Sequence, residues 1–376
     1  MNSKERVLLT LAHEEPDRVA KYDAFWVDTL IRWREEGLLE QVTPEDYFDF
    51  DIRSMGIDAS PRFEPELIKE EGDMIILKDR FGYVVEKSKT KSRTMHFISH
   101  PVKNRDDWDQ VKKRFVMTDT EPARIDEEAF PFRLDMGPTW EQARKRFQAL
   151  REKDVYLLGS AYGPHEAILR LRGFEKTLYD VVDHPDLLAD MAIGYSDFLI
   201  KVIHRCLKER IHIDAFFMIE DLASTKGMLF SPRQWREIFK PSVEKIGSFL
   251  RENKLDFWMH SCGNGEEVFY DLIECGVQVL NPLEAKSGLD VRELKKKYGN
   301  HLTFLGNIDV RAMAESEAAV AFEMREKITV AKKCGGYIYH SDHSVPPEVS
   351  LQRYRYVMNV LEKYGAYKNK RSVSCP

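Results

Sequence analysis

LDFWMHSCG, residues 255–263, is a short apolar run rich in strand formers that ends abruptly in polar and small residues, and its reading decides the fold. Five more runs of this kind lie beyond residue 153: VYLLGSAYG (155–163), DAFFMIEDL (214–222), VQVLNPLE (277–284), HLTFLGNID (301–309) and GGYIYHSDH (335–343). Between them, SPRQWREIFKPSVEKIGSFLREN (231–253) and DVRELKKKYG (290–299) place apolar residues at i, i+3, i+4 and i+7 with charge between, which predicts amphipathic helices. Strand followed by helix, repeated, predicts βα units and a parallel sheet. VAKYDAFW (19–26) and a weaker run near MGID (55–58) bring the strands to eight. Eight such units favour a closed (β/α)8 barrel over an open sheet.

Residues 60–118 break this rhythm. DMIILKDRFGYVVEKSK (73–89) and SRTMHFISHPV (92–102) read as antiparallel strands turning at Phe81-Gly82, and a polar, helix-rich connection follows to about residue 152. The expectation is an insertion of β-hairpin and helices, at about 60–150, capping one end of a barrel that otherwise takes in the chain from 1 to 376 as one domain. With 43% hydrophobic and 32% charged residues, the composition is that of a globular protein able to bury a large core. The tail KNKRSVSCP (368–376) is expected to fray.

Composition also excludes partners. The net charge is -6 and no Lys/Arg run is interleaved with aromatics, which argues against nucleic acid. The opening MNSKERVLLTLAHEEPDRV lacks the apolar stretch of a signal peptide and no 18 apolar residues run together, so the expected place is the cytoplasm, away from membranes. Cys206, Cys262, Cys275, Cys334 and Cys375 form an odd set without CxxC spacing, which predicts reduced thiols, with Cys206, Cys275 and Cys334 as packing residues. The sequence leaves a homodimer open.

A barrel of parallel strands builds its active site from the C-terminal strand ends. Candidates by that rule are Tyr22, Asp23 and Trp26 after the first strand, Tyr162 and His165 after the third, and Glu220 and Asp221 after the fourth. His260 and Cys262 follow the fifth, Asn281 and Glu284 the sixth, Asn307 and Asp309 the seventh, and His340, Asp342 and His343 the eighth. At period two, His260 and Cys262 share a side of the strand, and Gly263 lets the chain turn directly after them. An imidazole and a thiolate make a partial zinc set; a catalytic zinc takes about three protein ligands, and His343 is the candidate third, provided the last strand has ended by Asp342. The competing reading makes His260 a hydrogen-bonded core residue and Cys262 a small buried hydrophobe. Of Glu220 and Asp221 only one faces the site, Asp221 being favoured as acid/base, with a helix cap as its alternative. Asn307 and Asp309 share a face suited to a polar substrate, while Asp309 is equally placed to cap the next helix.

These stretches, together with SKERVLLTLAHEEPDRV (3–19), SPRQWREIFKP (231–241), HSCGN (260–264), NPLE (281–284), GNID (306–309) and HSDHSVPPEVS (340–350), resemble the uroporphyrinogen decarboxylase superfamily over most of the chain. Within it the likeness is greater to the cobalamin-dependent methyltransferases. The decarboxylases carry an Arg-rich loop of the form RQAGR after the first strand, where this chain reads YDAFWVDTLIRW, so porphyrinogen decarboxylation is disfavoured. The methyltransferase branch holds zinc by a His-x-Cys pair after the fifth strand, which His260 and Cys262 match, and by a Cys near the end of the eighth, where this chain has His343. Completion by Asp342 or by Glu220, Asp221 or Glu284 therefore stays open.

The resemblance implies a zinc-dependent methyl transfer from a small methylated substrate to cobalamin on a separate corrinoid protein. Tyr22, Trp26 and Tyr162 suit a flat apolar substrate, which makes O-demethylation of a methoxylated aromatic the first expectation, with His165, Asn281, Glu284 and Asn307 as further substrate contacts. Asp221, Glu220 and Asp309 are the acid/base candidates. Methylation of a thiol from methylcobalamin and metal-free decarboxylation are the alternatives. No Asp-x-His-x-x-Gly stretch is present that would resemble a corrinoid-binding loop.

Overall fold

A computed structural model of the chain describes residues 1–91, 95–126 and 134–367. Eight parallel strands appear in chain order: β1 (Ala20–Lys21), β2 (Ile52–Ile57), β3 (Tyr156–Tyr162), β4 (Ala215–Ile219), β5 (Asp256–His260), β6 (Val279–Asn281), β7 (Thr303–Leu305) and β8 (Tyr337–Tyr339). Each falls within or beside a run that predicted it. Their order in the sheet is β1-β8-β7-β6-β5-β4-β3-β2, every pair parallel. Beyond β2 the two-residue piece Ile125–Asp126 adds antiparallel. The sheet curls until its ends approach, and the Asp51 N–H donates to the Lys21 carbonyl at 2.9 Å.

The alternation of strand side chains explains both the core and the site. Ala20, Ile52, Leu158, Phe217, Trp258, Val279, Leu305 and Ile338, one from each strand, meet on the inner face in a single buried cluster. Val7 of the helix Ser3–Leu11 closes this cluster from below, and Arg6 pins that helix through Asp51 at 2.6 Å. Tyr156 stacks on Trp258 with ring centroids 5.4 Å apart. Residues two further along the same face stand one layer higher: Tyr22 above Ala20, His260 above Trp258, Asn281 above Val279, His340 above Ile338. The outer face packs beneath the helices in a larger core.

The structure differs from expectation in several elements. The segment 231–253 forms two helices, Pro232–Ile238 and Lys240–Glu252, because Pro241 has no N–H with which to continue the first; the chain breaks at Phe239 and restarts. The insertion holds four antiparallel strands: Glu66–Glu71, Met74–Lys78, Val84–Ser88 and Met95–Ser99. Its turn at Phe81-Gly82 is as read, but the first strand was hidden because both its faces are in solvent and ELIKEE carries no alternation. Helices Arg105–Lys112 and Trp140–Arg151 lie in the connection that follows. Cys206 and Cys275 are buried free thiols, whereas Cys334 is disulfide-bonded, against the expectation of a packing thiol: it sits in a half-exposed turn, not in the core. The tail read as frayed lies outside the described residues. Among those described, no helix is long and apolar enough to cross a membrane.

Candidate active site

β5 ends at His260, whose side chain rises from the inner face, and the chain leaves the ladder through Ser261 and Cys262. Gly263 then turns at φ 77°, where a Cβ would stand 2.5 Å from the Ala223 carbonyl carbon and the Ser224 oxygen, so only glycine lets this loop close against the loop after β4. The outcome is a His260 Nε2 to Cys262 Sγ distance of 3.4 Å.

Which imidazole nitrogen carries the proton follows from its neighbour. Asn281 of β6 donates its Nδ2 to the Leu305 carbonyl at 3.1 Å, which leaves Oδ1 facing His260 Nδ1 at 2.6 Å as acceptor. Nδ1 is therefore the protonated nitrogen and the Nε2 lone pair points toward the sulfur. Asp221 completes one group: its Oδ1 accepts the Cys262 N–H at 2.8 Å and lies 3.6 Å from Nε2. Burial, with the nearby carboxylates of Asp221 and Glu284, pushes the Cys262 thiol well above its usual range, so the thiol keeps its proton unless a cation joins it.

A second group meets the first at the same sulfur. Ligand atoms of Asp221, His260 and Cys262 lie within 4.8 Å of one another, and so do those of Cys262, Glu284 and His343. Glu284 Oε2 accepts from the Gly263 N–H at 3.0 Å and the Ser287 hydroxyl at 2.8 Å, with Lys286 3.2 Å from Oε1. Against the upward push of burial, Ser287 and Lys286 hold this carboxyl below its usual range. His343 is free to join because β8 ends at Tyr339, and its ring lies 5.4 Å from that of Trp26. Tyr22 packs against His340 at 5.6 Å, and Tyr162 lies under the Arg170 guanidinium at 4.6 Å.

Several sequence candidates serve the scaffold instead. Glu220 is fully buried and its two oxygens accept the His165 and Glu166 N–H groups at 3.0 and 3.1 Å, capping the helix Pro164–Arg172; burial raises its pKa to about 8. The place it holds in the fold is that of a cap. His165 lies buried, edge-on to Phe230 and Phe239. Asn307, fully buried, donates to the Leu283 and Leu289 carbonyls and accepts from the Val291 N–H, so both ends of its amide are engaged in holding these loops. Asp309 caps the helix Val310–Glu315 and pairs with Arg311. Asp342 accepts the Val310 and Ala285 N–H groups at 2.9 and 3.0 Å, pinning two loops, and it belongs to neither ligand group described above. Asp23 and His340 are buried against each other, with Asp23 accepting from Tyr354 at 2.6 Å. Sequence reasoning did not single out Glu166 and Arg170, which lie in the helix directly after β3 and pair at 3.0 Å.

Fold and site together define an α/β protein with a curled parallel sheet and a cluster of nitrogen, sulfur and carboxylate ligands at the C-terminal ends of its strands. The chain belongs to the uroporphyrinogen decarboxylase (URO-D) family, whose sequence profile matches residues 98–364. No curated protein matches it by sequence. Among solved structures it is similar to a methyltransferase from Methanosarcina mazei, with 16% identity and a TM-score of 0.66 over 97% of this chain and 99% of that one. At that identity the likeness establishes a shared fold. Dispersin B, at 12% identity, covers 61% of this chain and 78% of its own with a TM-score of 0.36, too low to carry any argument.

Proposed function

We propose that this protein, acting in the cytoplasm, moves a methyl group from a small methylated substrate to the cobalt of a corrinoid on a separate protein, with O-demethylation of a methoxylated aromatic as the leading case. The observation that carries the reading is the 3.4 Å pairing of His260 Nε2 with Cys262 Sγ, ringed by Asp221, Glu284 and His343. Family membership and a fold shared along 97% of the chain with a methyltransferase support it. So does the donor set: an imidazole nitrogen with its tautomer fixed, a sulfur and a carboxylate are ligands zinc takes, three from the protein leaving one position open. In this reading Cys262 holds the ion with either His260 and Asp221 or Glu284 and His343, three protein ligands in each set.

Zinc bound there would supply Lewis acidity at the oxygen that the methyl group leaves. The chain's residues do the rest. Asn281 accepts from Nδ1 and so turns Nε2 toward the ion; where Glu284 and His343 complete the ion's set, Asp221, its side chain 36% exposed, relays a proton from solvent to the departing oxygen so that the substrate leaves as an alcohol or phenol. Trp26 beside His343, Tyr22 beside His340 and Tyr162 beneath Arg170 are the aromatic contacts this reading offers a flat substrate. The rest of the proposal is architectural: the sheet closes as a (β/α)8 barrel through the Asp51–Lys21 contact, the chain forms one domain, and the corrinoid protein docks over the strand ends.

The test is to purify the protein without chelator, measure its zinc, and add Co(I) cobalamin with a panel of methyl ethers, thioethers and methylamines while following the cobalamin spectrum. Methylcobalamin formed from a methyl ether, and lost in His260→Ala, is the expected result. No methylcobalamin from any donor, and no demethylation of methylcobalamin by thiols, would remove the proposal.

A further inference from the structure

A cleft of about 1070 Å³ opens between the insertion and the sheet, and the site described above does not use it. One wall is the strand Met95–Ser99 with Phe97 and His100; the other is the helix Pro164–Arg172 with Glu166, Leu169 and Arg170. At its inner end stands Asp221, the carboxylate that bonds the Cys262 N–H and faces His260. The cleft therefore reaches the ligand cluster at Asp221. Its volume is at the upper limit of what ligand sites need, roughly 300–1,000 Å³, and exceeds what a one-carbon donor of a few atoms would fill.

The wall is mostly apolar, with one cation built into it. Arg170 lies over the Tyr162 ring at 4.6 Å, 5.8 Å from the Phe97 ring, and 3.0 Å from Glu166 Oε2. It thus spans insertion and sheet with its guanidinium held in place, its side chain 20% exposed. Arg172 is spent on Asp180, and Lys103 and Lys176 are exposed residues on the cleft's margin. One Glu166 oxygen and the Tyr162 hydroxyl occupy only part of a five-donor fork, and burial raises the Glu166 pKa.

We infer that this cleft seats the methyl donor, that Arg170 takes a carboxylate on it, and that the substrates are accordingly apolar methyl ethers bearing an acidic group; this rests on the methyl-transfer reading above. The insertion then supplies one wall of the substrate site.

Binding of 4-methoxybenzoate and of methoxybenzene to the full-length protein, by titration calorimetry without corrinoid, tests it. The acid is expected to bind at least about 10-fold tighter, the ratio a charge-assisted hydrogen bond gives. Arg170→Met should erase that ratio and Arg170→Lys keep part of it; thermal unfolding checks that both variants fold. Leu229→Trp, which fills the cleft from a wall that Arg170 does not touch, should weaken both probes by about 10-fold. Equal binding of the two probes, no binding of either, a ratio that survives Arg170→Met, or indifference to Leu229→Trp would each overturn the inference. Acid-selective binding without methyl transfer to cobalamin would instead remove the reaction and leave the cleft's assignment standing.

Discussion

Asn281 Oδ1 lies 2.6 Å from His260 Nδ1, and the amide's other end is tied to the Leu305 carbonyl at 3.1 Å, so one residue of β6 sets the tautomer of the imidazole on β5. An outer partner of this kind fixes ring direction as well as protonation. Asn281→Ala should weaken zinc binding by about 10- to 100-fold, read by competition with a chromophoric chelator. The thermal midpoint, measured beside it, should show that the variant remains folded. Unchanged affinity would mean that His260 is not held for a metal.

Cys262 belongs to both ligand groups, and its loss should cost more than that of Asn281. Loading with Co(II) is expected to give a thiolate-to-cobalt charge-transfer band in the wild type and none in Cys262→Ser. The affinity loss should exceed the about 10- to 100-fold expected of an outer residue. A wild-type protein that takes up cobalt without the sulfur band would exclude Cys262 as ligand.

What the sequence disclosed follows physical range. His260 and Cys262 were legible because period-two alternation and a following glycine are local facts, and the eight strands were legible because each buried run ends where polarity begins. Glu220 was not, since its partners are the N–H groups at the start of a helix some 55 residues earlier, and nothing in EDL marks a distant cap. The loop-holding bonds of Asn307 and Asp342 were hidden for the same reason: rim carboxamides and carboxylates look alike in sequence whether they face a ligand or pin a loop. The Arg170 contact with Phe97 needed the insertion to fold first, and the insertion's outer strand had no buried face to betray it.

Gly263 should tolerate no side chain. At φ 77° with backbone 2.5 Å from the added Cβ, Gly263→Ala is expected to destabilise the protein by roughly 1–3 kcal/mol in denaturant unfolding and to weaken zinc binding with it. Gly265→Ala makes the control, because its nearest neighbour would be Met228 Sδ at 3.7 Å and its φ is -100°; its cost should stay within about 0.5 kcal/mol. Equal costs at the two positions would contradict the close approach of the loops after β4 and β5.

His165 gives the molecule an acid-side weakness that can be measured. Burial lowers the pKa of its imidazole to about 4, from the 6.5 of an exposed ring. Below 6.5 the unfolded chain takes up a proton that the folded ring refuses, so the stability associated with His165 is complete above that pH and is lost as pH falls toward 4. Phe230 and Phe239 pack edge-on to the ring at 5.1 and 5.2 Å, an environment that accepts a phenyl group. His165→Phe should therefore lose less stability than the wild type between pH 6.5 and 4, the difference being on the order of 2–3 kcal/mol. Denaturant unfolding of both proteins at matched pH values gives the comparison, and parallel curves would show that the histidine is already charged in the folded state.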